Sequence, residues 1–258
     1  MELNHLREIA HQGMALSASP FLRHQKEGRY RFQEGVAFIR QDLPGPGFNF
    51  AAALRFTPPL ERILEICQDF FVGCAGGYGI LVEADAGHPI EEQIRNRGWQ
   101  VAEDEPALVL PSLPATLEVP PRLDIRRIDD EPGLHAFLET LSEGFETSRD
   151  IPETFWTSAC IRDPDIVFLL GYCAGQPVAT AVLGRIGQIA TIHGIATVAP
   201  FRRRGFGRAL TWTAARAGAE LGCTVAALRA MGVSLEMYRK MGFVHVCNHR
   251  TYTVPLPS

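Results

Sequence analysis

A proline-rich passage, PSLPATLEVPPR, lies near the middle of the chain at residues 111–122. Proline has no backbone N–H group and a fixed φ, so four prolines in twelve residues cannot lie inside a helix or a central strand. The passage therefore divides the chain of 258 residues, a length that suits two small domains or one large one. We predict a first domain at residues 1–115, a linker at 116–121 and a second domain at 122–258.

Strand and helix patterns follow one another clearly after this passage. Alternating apolar residues, acidic helix starts and glycine turns predict the order β-α-α-β-β-β-α-β-α-β. The predicted elements include a short helix over PETFWTSACI (152–161) and a helix over 207–222 that ends at Gly222. The second domain is therefore of the α/β class, with a mixed central sheet.

The first half repeats the end of this order less clearly. Aligning Gly98 in IRNRGW with Gly242 in YRKMGF gives an offset of 144 residues, which also brings Ala196 onto Ala52. We interpret this agreement as an internal duplication, so that the first half is a degenerate α/β copy of related topology. A coincidence between common strand–helix units is the alternative.

Composition limits the class of function. The chain is 46% hydrophobic and 21% charged with a net charge of −4, so no field that attracts nucleic acid or anionic membrane is expected. The six cysteines form no C-x-x-C pair and no disulfide framework, so we expect reduced thiols and no metal site. The polar N-terminal stretch is no signal peptide, and no apolar run is long enough for a membrane span, which favours a cytoplasmic protein.

The stretch VAPFRRRGFGRAL, residues 198–210, predicts an anion-binding loop. It follows a strand pattern and precedes an amphipathic helix, whose first backbone N–H groups have no partner within the helix. Those groups and the helix dipole attract phosphate, while Gly205 and Gly207 let a diphosphate approach the backbone. The spacing fits neither a Walker loop nor the dinucleotide fingerprint.

Two motifs at the expected separation resemble those of the GNAT N-acetyltransferase superfamily. The first is R-x-x-G-x-G, formed here by Arg202, Gly205 and Gly207. The second is Y-x-x-x-G-F, formed by YRKMGF at residues 238–243. The resemblance covers residues 122–258, and the first half shares it only through the internal repeat. It implies a GNAT-like fold and an enzyme that transfers an acetyl group from acetyl-CoA to a primary amine by direct attack.

The resemblance also implies which residues bind acetyl-CoA. In the family, pantetheine lies along the fourth strand as an additional strand would, and N–H groups of the loop hold the diphosphate. The residues at these positions are Ile195, Ala196, Thr197, Val198, Arg203, Arg204, Gly205, Phe206, Gly207, Arg208 and Ala209. Many members have an asparagine where this chain has Met231, so Ser234 is expected to supply a hydroxyl there instead.

Tyr238 is the residue that the resemblance implies as general acid, protonating the thiolate as it leaves. Packing between helix and sheet is the alternative role for this tyrosine. His193 is the candidate base, because an imidazole accepts a proton near neutral pH. Strict alternation would place His193 on one strand face with Thr191, Ile195 and Thr197. A purely structural histidine is the alternative.

Further candidates for holding or deprotonating the amine are Glu143, Glu146 and Glu153, near the helices that line the acceptor site in the family. The acceptor class stays open among antibiotics, polyamines, amino acids and protein N-termini. Two other functions compete with catalysis: a non-catalytic acyl-CoA-binding or sensing module, and an interaction protein in which the loop is only a helix start. We expect no nucleic-acid or membrane partner and a monomer or homodimer.

Overall fold

The computed structural model describes residues 1–26, 28–41, 43–54, 58–74, 76–84, 89–114 and 119–255. The helices are α1 (Leu3–Ala15), α2 (Ser19–Leu22), α3 (Leu60–Phe70), α4 (Pro89–Asn96), α5 (Glu131–Phe145), α6 (Asp150–Phe155), α7 (Phe206–Glu220) and α8 (Leu235–Lys240). The strands are β1 (Arg29–Gln33), β2 (Val36–Arg40), β3 (Asn49–Ala53), β4 (Gly79–Ala84), β5 (Val101–Leu110), β6 (Asp124–Ile128), β7 (Ile166–Cys173), β8 (Gln176–Ile186), β9 (Ile189–Thr197), β10 (Val225–Arg229) and β11 (Val244–Thr253). None of the described helices is long and apolar enough to cross a membrane.

Two compact units divide the chain. The first contains Met1–Leu108, Arg229–Leu235 and His245–Ser258, and the second contains Val109–Leu228 and Glu236–Val244. This grouping differs from the predicted boundaries, because two late segments pack with the first half of the sequence. The domains at 1–115 and 122–258 therefore stay a prediction, and residues 115–118 at their junction lie outside the described residues.

The order of elements from β6 to β11 is β-α-α-β-β-β-α-β-α-β, which confirms the predicted order and the mixed α/β class. Within the second unit the strands follow the order β10-β9-β8-β7-β6. β9 and β10 are parallel, whereas the pairs β6–β7, β7–β8 and β8–β9 are antiparallel. The parallel pair brings the loop after β9 and the start of α7 to one end of the sheet.

Helix α5 starts and packs as its sequence indicates. The side chain of Asp130 accepts a hydrogen bond from the N–H of Gly133 at 2.8 Å, and Pro132 lies in the first turn. On the inner face, the ring of Phe137 lies edge-on to those of Trp156 and Phe168, with centroid distances of 5.7 and 5.1 Å. These edge-on contacts fix α5 against the sheet.

The predicted helix over 152–161 is wrong in its extent. Helix α6 ends at Phe155, and a separate 3₁₀ turn covers Cys160–Arg162. Between them Trp156 takes an extended backbone conformation, with φ −121° and ψ 94°, and is buried to 9% exposure. Burial of this large ring against α5 outweighs the local helical preference.

In the first unit the strand order is β1-β2-β3-β4-β11-β5. β3 and β4 are parallel, and β11 pairs antiparallel with β4 from Asn248 opposite Ala84 to Thr253 opposite Gly79. The sheet of the first unit is thus completed by a strand that comes much later in the sequence. Local strand patterns carry no information about which neighbour a strand selects, so the sequence did not predict this pairing.

The two halves share local details that support an internal duplication, which stays a prediction. The order α1-α2-β1-β2-β3-α3-β4-α4-β5 equals that of the second half without its first strand. The hairpin turns at Glu34–Gly35 and Ala174–Gly175 both have φ near 50° and 80°. Gly98 and Gly242 both follow a helix with positive φ, 69° and 88°.

A buried ion pair stabilises the first unit. Glu91 accepts hydrogen bonds from Arg250 at 2.5 Å, Arg95 at 2.9 Å and the Tyr252 hydroxyl at 2.8 Å. Burial raises the pKa of Glu91, but the hydrogen bonds from Tyr252 and Arg250 together with the charge and hydrogen bond of Arg95 hold the pKa below its ordinary value. Because the folded pKa is depressed, this carboxylate stabilises the protein above its unfolded pKa and stops doing so as the pH falls through the folded pKa.

We expect Glu91→Gln to lower the free energy of unfolding by about 1–3 kcal/mol at neutral pH, because Arg250 loses one of its two carboxylate partners and keeps only Asp104. The variant should also lose less stability than the wild type between neutral pH and about pH 4. Urea unfolding at both pH values measures the two effects. Glu92→Gln, at the exposed neighbouring position, is the control and should change little; equal losses in both variants would contradict the role of Glu91.

Candidate functional site

The loop between β9 and α7 is curled so that its backbone N–H groups remain available. A 3₁₀ turn covers Ala199–Phe201, Arg203 and Gly205 have φ of 66° and 83°, and α7 begins at Phe206. The first backbone bond of the helix runs from the N–H of Ala209 to the carbonyl of Gly205. The N–H groups of residues 203–208 are therefore not used by the helix, and its positive dipole end lies there. An anion is the ligand that this arrangement suits.

Gly207 leaves space beside the loop that none of the described residues fills. A Cβ at this position would lie 3.6 Å from the Thr197 hydroxyl and 3.9 Å from the Cγ2 atom of Ile195, which are ordinary contacts. Glycine in a helix costs about 0.5–1 kcal/mol relative to alanine, and its backbone here shows no positive φ. Nothing in the described chain thus requires a glycine, whereas close approach of a ligand to the backbone would.

One arginine of the loop binds to the protein itself, whereas others are exposed at the start of the helix. Arg202 donates to the carbonyl of Thr197 at 3.0 Å, to that of Gly144 at 2.8 Å and to the Glu146 carboxylate at 3.1 Å. Arg202 therefore fastens the loop to β9 and to the end of α5 rather than presenting its charge to a ligand. Arg203 and Arg208 are exposed at the helix start and add positive charge beside the N–H groups.

Arg204 and the two phenylalanines of the loop pack on one another. The Arg204 guanidinium lies 4.9 Å from the ring centroid of Phe201 and donates to the carbonyl of Pro200 at 3.0 Å. The rings of Phe201 and Phe206 are stacked with centroids 6.4 Å apart, and Phe206 is buried. Phe206 thus anchors the helix start, so any part that it has in binding is through the backbone.

Strands β9 and β10 part on the side of the loop. Their parallel pairing extends only from Ile189 to Thr191, whereas β9 stays paired with β8 as far as Thr197. The later residues of β9 therefore border an opening on the β10 side. An extended ligand can pair with backbone groups in such an opening as an added strand does. Residues 195–198 lie at this opening and lead directly into the loop.

A β-bulge at Gly194 changes which side chains share a face of β9. Thr180 on β8 pairs with Ala196 and Val182 with His193, so two residues on β8 correspond to three on β9. The bulge contains Gly194, whose φ is 57°. The carbonyl of Gly194 accepts a hydrogen bond from the Thr180 hydroxyl at 2.7 Å. The predicted shared face of Thr191, His193, Ile195 and Thr197 is therefore wrong.

The bulge separates two functional faces. His193 and Ala196 share the face that α5 covers, where a Cβ on Gly144 would lie 2.8 Å from that of Ala196. Ile195 and Thr197 are on the opposite face, beside Gly207 at the start of α7. His193 is half-buried, so a proton acceptor at this position lies on the α5 side of the strand and the anion loop on the other.

Tyr238 lies in α8 and is buried to 4% exposure. Its ring lies edge-on to that of Phe243 with centroids 5.6 Å apart, and its carbonyl accepts from the N–H of Phe243 at 3.0 Å. The motif Y-x-x-x-G-F thus closes the end of the helix around Gly242. Tyr238, His193 and the loop all belong to the second compact unit.

The remaining predicted site residues are less available for binding a cofactor or an amine. The Ser234 hydroxyl donates to the carbonyl of Met231 at 2.8 Å, within a segment that packs with the first compact unit. Glu146 binds Arg202, and Glu153 binds Arg149 at 2.5 Å, so arginines engage both carboxylates. Glu143 is exposed on α5. Sequence reasoning missed the structural role of Arg202, which no spacing rule distinguishes from a ligand-binding arginine.

Known proteins provide an independent comparison. Residues 132–243 match the family model described as the acetyltransferase (GNAT) family. No curated protein matches the sequence significantly.

Solved structures resemble the chain over nearly its whole length. A GCN5-related N-acetyltransferase from Kribbella flavida has a TM-score of 0.69 at 19% identity, covering 94% of this chain and 96% of that one. A second, from Sphaerobacter thermophilus, has a TM-score of 0.60 at 14% identity, covering 98% and 93%. A conserved protein of unknown function from Staphylococcus epidermidis has a TM-score of 0.61 at 16% identity, covering 89% and 95%. At these identities the likeness establishes the fold.

Replacing Gly194 at the bulge is expected to destabilise the protein. A Cβ at Gly194 would lie 3.0 Å from Trp156 and 3.3 Å from Leu141, and the backbone φ is positive. We expect Gly194→Ala to cost about 1–2 kcal/mol for the left-handed backbone and a further 1–3 kcal/mol for overpacking. Gly187→Ala is the matched control, because Gly187 has a φ of 56° and no atom within 4 Å of the added Cβ. Urea unfolding of both variants measures the difference, and equal losses would argue against close packing at the bulge.

Proposed function

We propose that this chain is an acyltransferase that transfers an acetyl group from acetyl-CoA to a primary amine, on the basis that residues 132–243 match the acetyltransferase (GNAT) family model. One observation carries the proposal: the N–H groups of residues 203–208 are left unused by α7, beside a glycine that no contact among the described residues requires. A diphosphate is the group that such a concave set of donors accepts. The arginines at the helix start add long-range attraction for an anionic cofactor.

The cofactor would be held in two places. The backbone N–H groups from Arg203 to Arg208 bind the diphosphate, with Gly205 and Gly207 allowing contact and Ala209 closing the first helical turn. Residues 195–198 supply backbone groups to the pantetheine arm where β9 parts from β10. The Ser234 hydroxyl donates its proton to the Met231 carbonyl and keeps its lone pairs for accepting, and its part in cofactor binding stays a prediction. Bound acetyl-CoA supplies the activated thioester.

The transfer needs a base for the attacking amine and an acid for the departing thiolate, and a different residue is assigned to each role. The amine nitrogen attacks the thioester carbonyl, a C–N bond forms, and the C–S bond breaks. His193, or one of the exposed glutamates near α5 and α6, takes the proton that the amine loses. Tyr238 donates its hydroxyl proton to the departing thiolate. Burial of Tyr238 to 4% exposure keeps bulk water from its ring and helps to fix its orientation.

A non-catalytic acyl-CoA-binding module is the second candidate. The edge-on packing of Tyr238 against Phe243 explains the burial of this tyrosine without any chemistry. In that case the loop would bind the same cofactor, and His193 would be a structural residue of β9. The acceptor class, the cytoplasmic location and the choice between monomer and homodimer stay predictions under either candidate.

Gly207→Ala tests the cofactor site apart from stability. We expect it to weaken acetyl-CoA binding at least ~10-fold, because the new methyl group occupies the approach to the backbone. The free energy of unfolding should stay equal or rise by about 0.5–1 kcal/mol, since the helix gains a better former. Calorimetric titration with acetyl-CoA and urea unfolding provide the two measurements. Unchanged affinity would remove Gly207 from the site.

Two arginine variants on α7 test whether positive charge at the start of this helix contributes to acetyl-CoA binding. Arg208 lies at the start of α7, and Arg216, two turns later on the same helix, pairs with Glu220. We expect Arg208→Ala to weaken acetyl-CoA binding several-fold at low salt and less at high salt, whereas Arg216→Ala leaves it unchanged. Equal losses in both variants would mean that only net charge matters.

Tyr238→Phe distinguishes the two candidate functions. If Tyr238 is the acid, kcat for CoA release with an accepted amine falls at least ~10-fold while acetyl-CoA affinity is kept. The amines to be tried are polyamines, amino acids, amino-sugar antibiotics and peptides with a free N-terminus. Tyr172→Phe on β7 of the same unit is the control. Wild-type turnover in Tyr238→Phe contradicts the acid role, and no turnover with any amine favours the binding module.

A further inference from the structure

Three potential metal ligands meet inside the first compact unit. His11 comes from α1, Glu83 from β4 and His249 from β11, where Glu83 and His249 are directly opposite one another. One ligand atom from each residue lies within 4.8 Å of the other two. The two histidine rings have centroids 5.3 Å apart and are both buried, to 4% and 1% exposure. None of the residues of this group, here called the His–Glu–His cluster, is among those proposed for the acyltransfer site.

The ring of His11 is oriented by a backbone group. Its Nε2 atom lies 2.5 Å from the carbonyl oxygen of Ala53, and since that oxygen can only accept, Nε2 carries the proton. The lone pair of His11 is therefore on Nδ1, which lies 3.6 Å from Oε1 of Glu83. A backbone carbonyl that holds one imidazole nitrogen while the other faces a carboxylate is a common outer contact of metal-binding histidines.

His249 provides a second nitrogen. Both of its ring nitrogens, and Nδ1 of His11, are buried without a hydrogen-bond partner in the described part of the chain. A buried polar atom without a partner costs about 1–3 kcal/mol, so three such atoms in one place indicate a ligand that satisfies some of them. Burial lowers the pKa of both imidazoles, and for His249 the neighbouring His11 lowers it further. Neutral rings are the form that binds metal.

We propose that His11 Nδ1, a ring nitrogen of His249 and the Glu83 carboxylate bind one divalent transition-metal ion of the zinc class. Two imidazoles with one carboxylate form a donor set that such ions prefer, at about 2.0–2.2 Å from the metal. Two ligand atoms at such distances in a tetrahedral site are roughly 3.4 Å apart, close to the 3.6 Å between His11 and Glu83. The other two separations, which are at most 4.8 Å, must shorten when the ion binds.

A cavity gives the bound ion access to small molecules. It has a volume of about 370 Å³ and is lined by Glu8, His11, Gln12, Phe32, Gly35, Leu54 and Glu83. Since two of the three ligands line the cavity, the ion keeps a coordination position open toward it. An open fourth position is typical of zinc sites that bind water or a small ligand, whereas purely structural sites are closed by four protein ligands.

Metal titration of the full-length, tag-free protein after chelator treatment tests the proposal. We expect one Co²⁺ or Zn²⁺ per chain by metal analysis, the d–d absorption of Co²⁺ in a nitrogen and oxygen site, and a rise in Tm on metal addition. Glu83→Gln and His249→Gln should each weaken the metal affinity at least ~100-fold. His245→Gln is the matched control, because His245 is on the same strand, exposed, with Asn248 as its partner.

Other results overturn the proposal. A Tm that neither metal nor chelator changes means that the His–Glu–His cluster is a proton-sharing network. An intense thiolate-to-Co²⁺ band that Cys247→Ser removes means that the ion binds to cysteine instead. Full affinity in Glu83→Gln and His249→Gln places the ion elsewhere. If His249→Gln does not fold by circular dichroism, Glu83→Gln, which keeps the shape of the side chain, decides the outcome.

Discussion

One extra residue in strand β9 organises the second unit. The bulge at Gly194 requires a positive φ and leaves no space for a side chain between Trp156 and Leu141. It turns His193 toward the α5 side and Ile195 toward the start of α7, so that one strand serves two faces with different chemistry. Beyond the bulge β9 no longer pairs with β10, and the opening leads straight into the arginine–glycine loop. The separation of the proposed proton acceptor from the proposed cofactor site depends on this local irregularity.

Much of the second half could be predicted because its signals are local. Glycine after a helix, proline and aspartate before one, and alternating apolar residues each act within a few positions. They placed the ten elements from β6 to β11 in order, and Gly222 does end α7, with φ 83° and a bond from the N–H of Cys223 to the carbonyl of Gly218. The loop at 198–210 was recognisable for the same reason: its donors, its glycines and its helix start are contiguous in sequence.

What could not be predicted depends on contacts between distant residues. The prediction from strict alternation along β9 was wrong, because a glycine in a strand pattern does not show whether a β-bulge occurs there. The helix over 152–161 ended early because Trp156 is buried by packing that local propensity does not contain. The His–Glu–His cluster gives no sequence motif, because its three members are far apart in the sequence. Cysteine spacing carries no information about a candidate site built from histidines and a carboxylate.

The position of β11 also has a consequence for how the protein is made. This strand lies between β4 and β5 in the sheet of the first unit, yet translation produces it long after both of them. Until β11 emerges from the ribosome, the backbone edges of β4 and β5 that it will occupy have no strand between them, and such edges are prone to pair with other chains. The sheet of the first half is therefore complete only after the last strand of the second half has been made, so its assembly depends on contacts that are distant in sequence.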